Sequence, residues 1–227
     1  MPETWFITGT DTGVGKTLIA AALLVCAARG GRRTLGLKPL ASGSRQTALG
    51  LRHEDALALQ AAATVKLPYE AINPFALEPA IAPHIALRDA GIGLDAEQLL
   101  ASCQSALRAP HDFAVVEGAG GWRVPLNEHE TLADFARLLG VPVVLVVGLR
   151  LGCINHAVLS AEAIHADGLR LAGWVANQVD PTMPRLAENL ASLDRLVAAP
   201  RIGFVPYLSP PTAEMAARHI DLDALRG

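Results

Sequence analysis

Short apolar runs and longer segments of helical periodicity alternate along this chain. The apolar runs are four to seven residues long and rich in Val, Leu, Ile and Ala, which is typical of strands buried on both faces. The predicted strands are residues 5–8, 35–38, 113–117, 143–147, 171–177 and 202–206. The predicted helices are residues 16–29, 54–63, 95–107, 131–139, 155–167 and 184–197, with C-terminal stops at Gly30, Gly140 and Gly168.

This alternation predicts an α/β fold in three layers, with one parallel β-sheet covered by helices on both faces. The 227 residues suit a single domain. Residues 66–94 contain Pro68, Pro74, Pro79 and Pro83 and are predicted to be mostly loop. Because ligands of parallel sheets bind beyond the carboxyl ends of the strands, we expect this apolar stretch to cover the binding site.

Composition and charge favour a small-molecule partner in a reducing compartment. The formal charge of −3 lacks the excess of Lys and Arg that nucleic acid binding requires. The longest apolar run, residues 141–148, is much shorter than the roughly 20 residues that span a bilayer, and residues 1–5 resemble no export signal. Cys26, Cys103 and Cys153 are too widely spaced for a zinc site and odd in number for disulfides. We therefore expect a cytoplasmic protein with no nucleic acid or membrane partner.

The strongest chemical signal follows the first predicted strand. Residues 9–17 read GTDTGVGKT and lie between a strand and a helix, which is the context of a phosphate-binding loop. Its backbone N–H groups and the helix N-terminus attract phosphates. Lys16 is expected to reach the β- and γ-phosphates of a nucleotide, and the Thr17 hydroxyl to bind Mg²⁺. Gly9 lies one residue further from Gly15 than in the usual motif, so the loop is a variant form; a glycine-rich turn without a ligand is the alternative.

A second signal is the carboxylate at the end of the strand predicted at 113–117. Glu117 precedes a glycine-rich turn at residues 118–121. A carboxylate in this position can hold Mg²⁺, and the glycines leave room for phosphate. The alternative is that Glu117 is an ordinary solvated acid at a strand end. The phosphate-binding loop upstream argues against this interpretation.

A third signal is Lys38 at the end of the strand predicted at 35–38. Only three of the 19 basic residues are Lys, so a Lys retained here indicates a need for a compact ammonium. A second cation facing the γ-phosphate favours phosphoryl transfer to an anionic acceptor, although a solvated lysine is the alternative. His53, Glu54 and Asp55 open a predicted helix, where the simpler interpretation is that the acids complement the helix dipole.

Motifs along nearly the whole chain resemble the dethiobiotin synthetase family. They occur in the family's order and at compatible spacings, at residues 8–12, 14–17, 38–39, 41–43, 55–57, 73–74, 83–84, 116–122, 151–156 and 172–177. The longer phosphate-binding loop is the family's own form. The resemblance implies a homodimeric cytoplasmic enzyme of biotin synthesis that uses 7,8-diaminopelargonate, CO₂, ATP and Mg²⁺. Our hypothesis for the reaction is ring closure through a carbamate and a carbamic-phosphoric anhydride.

The resemblance also implies which residues bind ATP and the metal ion. Lys16 and Lys38 are implied to bind the reacting anions. The residues implied to bind the phosphates are Gly13, Val14, Gly15, Lys16 and Thr17. Those implied to surround Mg²⁺ are Thr17, Asp55 and Glu117. Those implied to meet adenine are Asn177, Pro206, Tyr207 and Leu208, with Gln178 standing where relatives carry Asp.

The remaining implied roles concern the diamine. Thr12 and Ser42 match positions near the diamine or its carbamate. The cavity is implied to be lined further by Glu117, Gly118, Ala119 and Gly120. The substrate carboxylate is implied to bind the helix N-terminal amides of the neighbouring subunit, at Gly152, Cys153, Ile154 and Asn155. A Tyr that can assist this carboxylate is replaced by Asn189.

Two other functions of the same fold class are alternatives. An ATP-dependent ligase that amidates cobyrinate would need a glutaminase domain, for which 227 residues leave no space. A ParA- or MinD-like ATPase switch carries a lysine early in the phosphate-binding loop, where this chain has Asp11. Such a switch also needs a DNA or membrane surface that this composition does not favour.

Overall fold

The predicted apolar runs pair side by side, and the predicted fold class is confirmed. The computed structural model describes residues 2–226, with side chains described for residues 2–225. The strands are β1 (Glu3–Gly9), β2 (Thr34–Leu37), β3 (Leu40–Ser42), β4 (Arg45–Thr47), β5 (Gly50–Arg52), β6 (Phe75–Leu77), β7 (Phe113–Glu117), β8 (Val143–Leu149), β9 (Leu171–Gln178) and β10 (Arg201–Val205). Six of them form a parallel sheet in the order β10-β9-β8-β1-β7-β2.

Helices cover both faces of this sheet. They are α1 (Lys16–Arg29), α2 (Glu54–Ala62), α3 (Tyr69–Ile72), α4 (Pro83–Asp89), α5 (Ala96–Leu107), α6 (Leu132–Leu139), α7 (Cys153–Ala166), α8 (Leu186–Leu196) and α9 (Ala213–Ala216). In β8, Val144 and Val146 face one apolar core together with α1 and α9, whereas Leu145 and Val147 face a second core that includes α5, α6 and α7. The central strands are therefore buried on both faces, as their continuous apolar sequence predicts.

Residues 66–94 contain more helix and strand than the sequence predicts, although about half of them lie outside these elements. They contain α3, β6 and α4, and β6 pairs in parallel with β3 as a small separate sheet. Pro68 is the N-cap of α3 and Pro83 lies in the first turn of α4. Since a proline is favourable at the start of a helix, where its missing N–H is not needed, these prolines begin helices rather than exclude them. The antiparallel pair of β4 and β5 was also not predicted.

Most predicted boundaries agree with the structure to within a few residues. Two of these small differences lie at functional loops: β2 ends at Leu37, so that Lys38 follows the strand, and α7 begins at Cys153 after Gly152 with a φ of 95°. Gly140 ends α6 in the left-handed conformation, as predicted, whereas after α1 this conformation is adopted by Gly31 and not by Gly30.

None of the helices in the described residues is long and apolar enough to cross a membrane. All three cysteines are free thiols.

Candidate active site

A cavity of about 850 Å³ lies where β1, β2 and β7 end. The predicted residues at its wall are Thr12, Gly13, Gly15, Lys16, Thr17, Lys38, Ser42, Asp55, Glu117, Ala119 and Gly120. Residues 80–83, which precede or begin α4, line it as well, and this agrees with the expectation that the proline-rich stretch covers the site. A larger cavity, of about 1020 Å³, is lined by residues 140 and 167–169, which precede β8 and β9, and contains none of the predicted site residues.

The phosphate-binding loop between β1 and α1 is held in place by one buried side chain. Val14 is 1% exposed, and a Cβ atom at Gly9 or at Gly148 would lie 2.6 or 2.8 Å from its methyl groups. Asn177 Nδ2 donates a hydrogen bond of 2.8 Å to the carbonyl of Val14. Gly15 has a φ of 88°, and a Cβ there would lie 2.2 Å from Asn177 Nδ2. The glycines are thus required by close packing as well as by backbone conformation.

Lys16 reaches back over this loop. Its ammonium donates to the carbonyl oxygen of Asp11 at 2.9 Å, and it forms no ion pair within residues 2–225. Burial, followed by repulsion from the Lys38 ammonium, lowers the pKa of Lys16 from 10.5 to about 8. A buried ammonium without a carboxylate partner favours binding of an anion.

Lys38 lies in a very different environment. It is 2% exposed, and its ammonium contacts Glu117 Oε1 at 2.7 Å, the Gly118 carbonyl at 2.8 Å and Asp55 Oδ2 at 2.9 Å. Burial acts to lower the pKa of Lys38, but attraction to the two carboxylates outweighs it, and the pKa is raised above 10.5. Lys38 is therefore charged and almost fully neutralised by its neighbours.

The two carboxylates and one hydroxyl form a set of oxygens that suits Mg²⁺. Thr17 Oγ1 donates to Glu117 Oε1 at 2.9 Å, and Glu117 Oε2 is buried without a hydrogen-bond partner. Burial opposes ionisation of Asp55, but the Lys38 ammonium lowers the pKa of its carboxyl below 3.8. Because a buried carboxylate oxygen without a partner is costly, a cation bound beside Glu117 would satisfy it. Among the described residues, no group of three or more His, Cys, Asp or Glu side chains gathers as a metal site, so the oxygens here come from two carboxylates and a hydroxyl.

Asp55 thus does more than complement a helix dipole, which was the simpler interpretation of its sequence. It is the second residue of α2 and faces the cavity beside Lys38. The pairing of Lys38 with a carboxylate 79 residues later, Glu117, could not have been identified from spacing.

The residues implied to meet adenine lie outside the lining of this cavity. Asn177 is buried and packs behind the phosphate-binding loop. Gln178 Oε1 accepts a long hydrogen bond of 3.4 Å from the Tyr207 N–H, and its Nε2 donates to the Asp180 carbonyl. Tyr207 is about half exposed. These residues therefore form a separate group on the other side of the loop from Lys38.

The residues implied to bind the substrate carboxylate do not line the cavity either. Gly152, Cys153, Ile154 and Asn155 form the N-terminus of α7. The preceding Arg150 forms an ion pair with Asp11, so this loop is joined to the phosphate-binding loop of the same chain. Leu151 beside it is 95% exposed.

His53 is one of the cavity-lining side chains that sequence reasoning did not assign to the site. Its Nε2 lies 3.1 Å from the Ser42 carbonyl oxygen, and its Nδ1 accepts a hydrogen bond from the Asp55 N–H at 3.1 Å. His53 precedes α2 as its N-cap. The position before a predicted helix was the available signal, but it gives no information about Ser42, which is 11 residues away.

Comparisons with known proteins agree with the predicted family. The model of a family described as AAA domain matches residues 3–215. The chain is 57% identical over 223 residues to the ATP-dependent dethiobiotin synthetase BioD of Cellvibrio japonicus strain Ueda107, covering 98% of this chain and 97% of the relative. It is also 57% identical over 221 residues to the ATP-dependent dethiobiotin synthetase BioD of Pseudomonas paraeruginosa strain DSM 24068 / PA7, covering 97% of each.

Solved structures with a similar fold are more distant in sequence. The septum site-determining protein MinD complexed with Mg-ADP from Pyrococcus horikoshii OT3 has a TM-score of 0.57 at 16% identity, covering 99% of this chain and 94% of that one. The signal recognition particle receptor FtsY from Elizabethkingia anophelis has a TM-score of 0.54 at 16% identity, covering 100% of this chain and 66% of that one. At such identities these matches bear on the fold, which is of the P-loop NTPase type.

Proposed function

The chain belongs to the ATP-dependent dethiobiotin synthetase family, and is thus an ATP-dependent ligase of biotin biosynthesis; we propose that it joins CO₂ to 7,8-diaminopelargonate and closes a cyclic urea. One observation carries this proposal: two ammonium groups and two carboxylates, those of Lys16, Lys38, Asp55 and Glu117, line a single cavity beside the phosphate-binding loop. An enzyme that brings a phosphate and an anionic acceptor together needs cations between them, and this cavity offers two ammonium groups and two carboxylates that could hold Mg²⁺.

The proposed reaction has three steps. One amine of the substrate attacks CO₂ and loses a proton, which gives a carbamate. A carbamate oxygen then attacks the γ-phosphorus of ATP, and ADP leaves. The second amine attacks the carbonyl carbon of the resulting carbamic-phosphoric anhydride, which forms the second C–N bond, releases a proton and expels phosphate.

The side chains of this cavity supply charge and position for these steps. Lys16, which lacks a carboxylate partner, is suited to the transferring phosphoryl group, and the backbone N–H groups of the loop to the other phosphates. Lys38 is held as an ammonium by Glu117 and Asp55 and is suited to the carbamate. Thr17, Asp55 and Glu117 would hold Mg²⁺, which would offset negative charge on the phosphate oxygens when bound. No covalent enzyme intermediate is needed.

The substrate and the nucleotide extend beyond this cavity in the proposal. The cavity where the diamine would lie is lined by Thr12, Ser42, Ala119 and Gly120, and the Gly118 carbonyl accepts a hydrogen bond from the Lys38 ammonium. The N-terminus of α7, at residues 152–155, would bind the substrate carboxylate of a neighbouring subunit, so the active unit would be a homodimer. Asn177, Gln178 and residues 206–208 would meet adenine. The three free thiols support a reducing, cytoplasmic location.

A direct assay tests the reaction. Purified protein is mixed with ATP, Mg²⁺, bicarbonate and 7,8-diaminopelargonate, and dethiobiotin is sought by mass together with ADP release. With ¹⁸O-labelled bicarbonate, the phosphate released should carry one labelled oxygen, because a carbamate oxygen leaves with it. ATP hydrolysis that does not depend on the diamine, without dethiobiotin, would contradict the proposal and favour an ATPase switch. Dethiobiotin with unlabelled phosphate would contradict the anhydride.

A further inference from the structure

His53 joins two walls of the cavity that are separate in the sequence. Its imidazole lies between the Ser42 carbonyl oxygen, at the end of β3, and the N–H of Asp55, at the start of α2. The distances are 3.1 Å on both sides, and the side chain is 13% exposed. Ser42 belongs to the wall proposed for the diamine, and Asp55 contacts Lys38.

The partners of the ring require one tautomer. The amide of Asp55 can only donate, so Nδ1 must carry a lone pair. The carbonyl of Ser42 can only accept, so Nε2 must carry the proton. A ring with its proton on Nε2 and a lone pair on Nδ1 satisfies both contacts at once. Among side chains that cap a helix well, Ser, Thr, Asp and Asn are too short to make the second contact from the same position.

The backbone of His53 is connected to Lys38 as well. The His53 N–H donates to the Tyr69 hydroxyl at 2.7 Å, and this hydroxyl donates to Asn73 Oδ1 at 2.8 Å. Asn73 Nδ2 in turn donates to the Lys38 carbonyl at 2.6 Å. Tyr69 and Asn73 are buried, so this connection is shielded from water. His53 is therefore linked by hydrogen bonds to the segments that carry Ser42, Asp55 and Lys38.

We propose that His53 is a positioning residue that holds the diamine wall of the cavity at a fixed place relative to Asp55 and Lys38. The proposal rests on the function proposed above, because it concerns where the diamine lies against the phosphoryl acceptor site. A hydrogen bond between two loops from different segments fixes a geometry that neither segment fixes alone. Small displacements of a reacting group slow its reaction strongly. Loss of the His53 contacts should therefore lower kcat/KM for the diamine and leave KM for ATP unchanged.

Two substitutions separate the two contacts of the ring. His53→Asn keeps an oxygen that can cap α2 by accepting from the Asp55 N–H, but it cannot reach Ser42. His53→Ala removes both contacts. His129→Asn is the matched control, because His129 is exposed and lies outside the cavity lining. For each protein, kcat, KM for the diamine, KM for ATP, nucleotide affinity by calorimetry and Tm are measured.

For His53→Asn we expect kcat/KM for the diamine to fall about fivefold to tenfold, the effect of one lost hydrogen bond. KM for ATP, nucleotide affinity and Tm should stay at the wild-type values. His53→Ala should show the same fall in kcat/KM for the diamine. Its Tm should also be lower by about 2–4 °C, because the helix cap is lost too.

Two results would overturn the positioning role. One is a His53→Asn protein with wild-type kcat/KM for the diamine. The other is an equal fall in kcat/KM for the diamine and for ATP, in proportion to the fall in Tm, which would indicate a structural role alone. The wild-type protein is assayed first. If it forms no dethiobiotin, the proposed function itself is rejected, and this outcome is distinct from a failure of the positioning role.

Discussion

The two lysines of the cavity, Lys16 and Lys38, are the same residue type in opposite electrostatic environments. Lys16 contacts a backbone carbonyl, and burial together with the nearby Lys38 ammonium lowers its pKa to about 8. Lys38 is more deeply buried, yet contacts with Glu117 and Asp55 raise its pKa. Burial alone therefore does not decide the charge of a lysine; the presence or absence of a carboxylate does.

This difference indicates that the regions around Lys16 and Lys38 have different roles. The phosphate-binding loop keeps an uncompensated positive charge, which a nucleotide can neutralise. The region around Lys38 is already neutralised, so its ammonium is fixed in position before any ligand arrives. We expect changes in the Lys38 region to affect folding stability most strongly, and changes in the Lys16 region to affect nucleotide binding.

The largest effect is expected for Lys38→Ala. Removal of the ammonium leaves the buried Glu117 and the partly buried Asp55 without a cation, and the free energy of unfolding should fall by about 3–5 kcal/mol. Turnover should fall by roughly 100-fold to 1,000-fold, as when a charge-stabilising donor is lost, while nucleotide still binds. Denaturant unfolding, product formation and calorimetry measure these quantities. Lys66→Ala is the control, because Lys66 is exposed and contacts only backbone carbonyls near the end of α2. Wild-type rates in Lys38→Ala would remove Lys38 from the chemistry.

A smaller effect, of opposite sign for stability, is expected for Lys16→Met. The pKa of Lys16 falls from 10.5 to about 8 on folding, which at about 1.36 kcal/mol per pKa unit makes the charged lysine destabilising by about 3 kcal/mol. The variant without nucleotide should therefore be more stable than wild type, by at most this amount. Its nucleotide affinity should be weaker by at least about tenfold, because charge-assisted hydrogen bonds to phosphate are lost. A less stable variant would show that Lys16 is not the uncompensated charge described here.

The pH dependence of stability distinguishes the lysines further. Because the folded-state pKa of Lys16 is below its unfolded value, the unfolded chain binds more protons between about pH 8 and pH 10.5. The contribution of Lys16 to the free energy of unfolding is thus unfavourable below pH 8 and is relieved as the pH rises through this window. The difference in Tm between wild type and Lys16→Met, measured without nucleotide or metal, should narrow from pH 8 to pH 10.5. A constant difference would contradict the lowered pKa.

The smallest effect is expected for Asp11→Asn. The ion pair of Asp11 with Arg150 is partly exposed, and such pairs contribute about 0–1 kcal/mol. The backbone carbonyl that receives the Lys16 ammonium is kept. The carboxylate of Asp11 acts to raise the pKa of Lys16, so its removal should lower this pKa slightly further. The pH range over which the Lys16 contribution changes should then begin at a slightly lower pH. A loss of stability comparable to that of Lys38→Ala would mean that the two regions are not electrostatically distinct.

The phosphate-binding loop was predictable from sequence because its parts are contiguous. Strand, glycines, Lys16, Thr17 and helix follow one another within residues 3–29, and local conformation decides the outcome. The sheet was predictable for a related reason, since strands buried on both faces carry continuous apolar runs.

The surroundings of Lys38 were not predictable in this way. Its partners are distributed over three segments, and only the family resemblance indicated Asp55. The residues that fix its backbone, Tyr69 and Asn73, lie in a stretch that its prolines made resemble a loop. Hydrogen bonds between distant segments leave no periodicity in a sequence, so this side of the cavity required coordinates.

The packing of Val14 against Gly9 and Gly148 has a consequence for changing the nucleotide preference of this protein. These three positions make up one steric unit, although Gly148 belongs to a central strand and is remote in the sequence from the loop. A larger residue at Gly148 would push the loop outward, so nucleotide affinity can be altered from inside the sheet without touching a ligand-binding group. Variant libraries that aim to change nucleotide preference should therefore vary positions 14 and 148 together, with a larger side chain at one and a smaller side chain at the other. A change at either position alone leaves a clash or a void.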